Sequence, residues 1–89
     1  MTPDWSPVEI DRWMLRVAVA PETDASLIVI ACMWRNAEDG GSWRWRVEVS
    51  DAEHAHEMIA DRAASEEEAR QFAEIAVDEP LVNLRANWP

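Results

Sequence analysis

Few residues of this 89-residue chain are of a type that does chemistry, and their spacing excludes most reactions. The single cysteine, Cys32, sits in the apolar stretch LIVIACMWR with no base or cation evidently placed to lower its pKa, so it reads as a buried, inert thiol. His54 and His56 stand two apart, a spacing that converges on one metal from a strand but diverges on a helix, and no Cys and His cluster completes a ligand set. Gly40 and Gly41 are the only glycines, so neither a phosphate-cradling P-loop nor a dinucleotide fingerprint can be present. There is no G-x-S-x-G elbow, and with eighteen acids in the chain any carboxylate pair at glycosidase spacing is expected by chance. The expectation is a protein without catalysis, metal or cofactor.

Charge and tryptophan remain. Of the eighteen acids, eleven lie between Glu48 and Glu79, where the only cations are Arg62 and Arg70; elsewhere seven acids face six Arg, and the net charge is −10. Glu53, Glu57, Asp61, Glu66, Glu67 and Glu68 are the expected contact ridge, a negative surface that imitates a phosphate backbone, docks on a basic protein or nucleoprotein complex and weakens with salt. The competing reading is an ordinary solvated helix surface, since Glu favours helix and net charge aids solubility. The same net charge argues against direct binding of nucleic acid or an anionic membrane. Every cation is Arg; in the WRWR segment Arg44 and Arg46 point outward if Trp43 and Trp45 point into the core, and paired guanidinium groups suit carboxylates on a partner. Trp5, Trp34 and Trp88 are surplus to one small core, and any of them left exposed is a binding anchor.

The elements that position these residues read as one α+β domain. Residues 1–9 form an N-terminal arm, 10–50 antiparallel strands, 51–79 an acidic helical region and 80–89 a tail. Trp13, Leu15, Val17 and Val19 alternate with polar or small residues, the mark of a half-buried strand from Ile10 to Val19. Pro21 breaks it. Leu27 to Arg35 is apolar on both faces and reads as the central strand, Asn36 to Gly41 as a hairpin turn, and Ser42 to Ser50 as the next strand with Trp43, Trp45, Val47 and Val49 on one face. Ser65 with Glu68 is a capping box opening a helix to Asp78, with Ala69, Phe72, Ala73 and Ala76 as its apolar stripe and Pro80 as its stop. Asp51 to Ala64 fits either a preceding helix, which local propensity favours, or a short fourth strand over Glu57 to Arg62. The fold expected is a three- or four-stranded antiparallel meander packed on one or two helices. The longest apolar run, Ser26 to Trp34, is far shorter than the roughly 20 residues of a membrane span. The N-terminus has acids where a signal peptide needs positive charge, so a cytoplasmic protein is expected.

A Trp-x-Trp-x-Val strand (Trp43, Trp45, Val47) followed by Ala-Ser-x-x-Glu-Ala-Arg-x-x-Ala-Glu (Ala64 to Glu74) resembles small proteins carried by phages and mobile elements of GC-rich bacteria, among which short acidic anti-CRISPR proteins are found. The likeness covers Leu27 to Glu74. In such proteins a Gly often precedes the Ala-Ser segment and the stretch before it is a strand; here Arg62 and Ala63 stand there. The resemblance implies a phage-encoded inhibitor or adaptor acting in the host cytoplasm on a CRISPR-type complex, as monomer or homodimer. A self-associating assembly module is the alternative.

Overall fold

The computed structural model describes residues 4–20, 24–51 and 53–87. Five strands, β1 (Ser6–Glu9), β2 (Arg12–Ala20), β3 (Asp24–Asn36), β4 (Ser42–Ser50) and β5 (Ala55–Ala63), form one antiparallel meander in the order β1-β2-β3-β4-β5. Among the described residues a single helix, α1 (Glu66–Asn87), lies across one face. The α+β class is as the alternation pattern required, with more strands than expected.

Register explains which side chains are buried. Val17, Val29 and Val49 align across β2, β3 and β4, as do Leu15, Ala31 and Val47, and Trp13, Met33 and Trp45. These rows form the face under α1, where Val29, Ala31, Met33 and Val47 are fully buried. From α1 come Ala69, Ala73, Val77 and Leu81, spaced four apart so that they share one side of the helix, and the two alanines in that row let its axis approach the sheet. Phe72, expected in this stripe, falls beside it and stays partly exposed.

Three expectations are corrected. The segment from Asp51 to Ala64, favoured as a helix, supplies β5, which pairs with β4 along its whole length. Its Ala and Glu content favours helix locally, but the open edge of β4 offers ladder hydrogen bonds and a site for Ala63 in the core. The register shifts between Val47 and Glu48, leaving Met58 as the extra residue of a bulge, so period two is broken inside β5. Second, Pro80 does not stop α1. It lies inside the helix, and the lost backbone bond, a cost of about 3 kcal/mol or more, is offset by what the continuation brings. Leu81 is buried, Leu84 packs against the core, and Arg85 donates from Nε to the Val19 carbonyl (3.1 Å) and from Nη2 to that of Ala18 (2.9 Å). The expected tail from residue 80 is therefore helix as far as Asn87. Third, the expected N-terminal arm contains β1, paired with β2. Pro21 and Trp88 lie outside the described residues.

The turns are closed by local chemistry. Gly40 and Gly41 both take positive φ after a short 3-10 turn, and a side chain at Gly41 would meet the Arg35 guanidinium at 2.9 Å. Between β4 and β5 the Asp51 carboxylate accepts from the Glu53 and His54 amides at 2.8 and 2.7 Å. Those bonds hold its pKa below the ordinary aspartate value. At the start of α1, Ser65 Oγ accepts from the Glu68 amide at 3.2 Å, while Glu68 Oε1 accepts at 3.4 Å from Ala64 rather than from Ser65 itself. Among the described residues no helix is long and apolar enough to cross a membrane.

Candidate protein-binding surfaces

Because α1 lies over β3 and β4, it leaves β5 uncovered on the helix side, and a groove opens between them. Its volume is about 550 Å³. Trp45 lies at its base; Met58 and Ile59 come from β5, and Phe72, Ile75, Ala76 and Pro80 from α1. Met58, Ile59, Phe72 and Ile75 are all exposed, with Ile75 keeping 69% of its surface in water. Trp45 and Phe72 meet with ring centroids 6.2 Å apart. The polar members of the lining are Asp61, Glu79 and Asn83, so the rim carries negative charge and no cation. Clustered apolar exposure with a polar border is how binding grooves differ from ordinary surface.

The acids of the expected ridge are not brought into one line. Glu66, Glu67 and Glu68 occupy the first turn of α1, where the positive end of the helix dipole favours them. Asp61 is paired across the sheet with Trp45, faces the helix and lines the groove. Glu57 is paired with Glu48 and faces the opposite side of the sheet. Glu53 sits in the β4–β5 turn, at the other end of the sheet from the start of α1. Further acids on α1, namely Glu74, Asp78 and Glu79, continue the charge along the helix. Of the two cations of α1, Arg70 offsets one acid of the expected ridge and Arg85 offsets none. Arg70 bonds Glu66 at 3.2 Å and lies over the Trp13 ring, and Arg85 is turned to the β2 carbonyls. Glu74 accepts from the Trp5 indole at 2.8 Å, which ties the segment before β1 to the helix.

On the sheet face away from α1, Trp34 is flanked by Arg12 and Arg46, each guanidinium carbon 5.7 Å from the ring centroid. Arg44 and Arg46 face this side, as the hairpin reading required, and Trp43 and Trp45 the core side. Cys32 is also here, buried beneath its neighbours Met14 and Arg46; burial raises its pKa, with the Arg46 charge opposing. His54 and His56 stack with centroids 6.1 Å apart, and among the described residues no three metal-ligating groups converge.

Sequence reasoning missed the groove. The signal for its helical wall was Phe72, Ile75, Ala76, Glu79 and Asn83, a row at three- and four-residue spacing beside that of Ala69 and Ala73. Its strand wall became visible only once Glu57 to Arg62 was placed in the sheet. Comparison with protein-family models, curated proteins and solved structures finds no match.

Proposed function

We propose that this chain is a non-catalytic acidic protein-binding inhibitor or adaptor, encoded by a phage or mobile element, that occupies a basic, nucleic-acid-binding surface of a host defence complex of CRISPR type. The single observation that carries the binding role is the groove between β5 and α1, an exposed apolar trough with acidic borders and an acidic helix beside it. A complementary partner presents an apolar segment carrying Arg or Lys. Apolar burial in the trough supplies affinity, while the acids of α1 raise the encounter rate and reject anionic competitors. The phage and CRISPR assignment is supported by the resemblance of Leu27 to Glu74 and by the net charge of −10, both features of the sequence.

The test is capture of nucleoprotein complexes from a GC-rich bacterium at low and high salt, with free nucleic acid as competitor. The expected result is a retained complex that loses its nucleic acid on binding and is released by salt. Retention unaffected by Ile75→Asp and by the triple variant Glu66→Lys/Glu67→Lys/Glu68→Lys removes the proposal. The assembly alternative draws on β5, a nine-residue strand at the end of the sheet order with nothing beyond it among the described residues. Sedimentation at several concentrations separates the two, since a salt-insensitive oligomer favours assembly.

A further inference from the structure

The face of the sheet away from α1 has the opposite electrostatic character from the helix side. Register places Arg12 and Arg16 of β2, Arg44 and Arg46 of β4 and Arg62 of β5 on this one face, so five of the eight cations of the chain project from it. Among the described side chains, the acids on this face of the strands are Glu9, Glu48 and Glu57. Of these, Glu9 is paired with Arg12, Glu48 stands in the row of Arg16 and is paired with Glu57, and Glu57 lines a hollow with Arg44, Arg46 and Arg62. With five Arg against these three Glu the face keeps a positive surplus, gathered about Trp34, with Arg12 and Arg44 directly beside it on the neighbouring strands and Arg62 directly beyond Arg44. Neighbouring strands are about 4.8 Å apart and alternate residues on one strand roughly 6.7 Å apart, so these guanidinium groups form a compact grid.

We infer that this Arg and Trp face is a second docking surface, and that its occupant is a protein segment presenting carboxylates. Three features select that occupant. Arg with Trp is the composition of protein interface hot spots. All five cations are Arg, whose planar fork grips a carboxylate through two parallel bonds as a Lys does not. A nucleic acid strand carries a long, dense run of phosphates, which the net charge of −10 and the interspersed Glu48 and Glu57 repel, whereas a short segment with a few spaced carboxylates matches a small surplus of Arg. The domain is then two-sided, with a cationic partner on the helix side and an anionic one on the sheet side, as bridging requires.

The test uses the whole chain and a fluorescein-labelled ten-residue peptide of alternating Glu and Thr, read by anisotropy. Its controls are the same peptide with Gln for Glu, a ten-nucleotide oligothymidylate, and sedimentation of the chain alone. The Glu peptide is expected to bind at least tenfold tighter than the Gln peptide. Arg12→Glu/Arg62→Glu, at two exposed positions where folding is spared, should abolish that preference. Arg12→Lys/Arg62→Lys should lose part of it, because the charge remains and the fork does not. Binding of a cationic peptide to the groove on the opposite side should be unchanged in both variants and reports that they are folded. Equal affinity for the Glu and Gln peptides overturns the inference. Tighter binding of the oligothymidylate, or self-association that the Glu variant abolishes, also overturns it, by assigning the face to nucleic acid or to a second copy.

Discussion

Ile75→Gln isolates the groove from the fold. Burying an Ile side chain completely contributes about 1.5–3 kcal/mol. Ile75 keeps 69% of its surface in water, so the folded chain has realised only about a third of that, roughly 0.5–1 kcal/mol. Gln is a good helix former and continues α1 without disturbance. Thermal unfolding should therefore shift by no more than about 8 °C, at about 4–8 °C per kcal/mol for a domain of this size. The remaining two thirds, about 1–2 kcal/mol, is what a partner gains by covering the side chain. Its loss should raise the Kd of a fluorescein-labelled peptide of alternating Arg and Leu by about 5- to 30-fold, since about 1.4 kcal/mol is a factor of ten. Adding salt should weaken wild type and variant alike, because the acids Asp61 and Glu79 remain. An unchanged Kd with an unchanged melting temperature would refute the assignment of Ile75 to the contact surface.

Other expectations concern the scaffold. Met33 is the largest side chain buried without residual exposure, and Met33→Ala should cost about 2–5 kcal/mol in urea unfolding; a loss well under 1 kcal/mol would contradict the packing of α1 on β3. Ser65→Ala removes the acceptor of the Glu68 amide and should lower stability by about 1 kcal/mol, seen as a lower urea midpoint with an unchanged slope. Asp51 has a depressed pKa when folded, so the stability it contributes is complete at neutral pH and is lost as pH falls through that lowered value. The Glu53 and His54 amide resonances should accordingly titrate together below the ordinary aspartate range, and in Asp51→Ala that titration should vanish; a transition in the ordinary range would remove the turn assignment.

The parts of the fold that the sequence exposed are those where one rule acted alone. Alternation in Trp13 to Val19 and in Trp43 to Val49 marked β2 and β4, because each buries a single face under α1. Ser65 marked the helix start because its hydroxyl has only the capping partner to satisfy. Where two rules competed, the tertiary one prevailed. Helix propensity in Asp51 to Ala64 gave way to the open edge of β4, and the stop signal of Pro80 gave way to the burial of Leu81 and the two bonds from Arg85. The charge pattern was legible as a count but not as a geometry. The acids clustered in sequence from Glu48 to Glu79 are divided by the sheet, with Glu57 on one side and Asp61 on the other, while arginines distant in sequence meet around Trp34. The pairing of Trp34 with Arg44 followed from a hairpin centred on Asn36 to Gly41, but reading β3 as buried on both faces concealed it.

The amide chemical-shift map of the isotope-labelled chain, titrated with the Arg and Leu peptide, bears most directly on the groove. Perturbations confined to Met58, Ile59, Asp61, Phe72, Ile75 and Glu79 are the predicted result. Shifts centred instead on Arg12, Trp34 and Arg62, or spread evenly over the molecule, would contradict it.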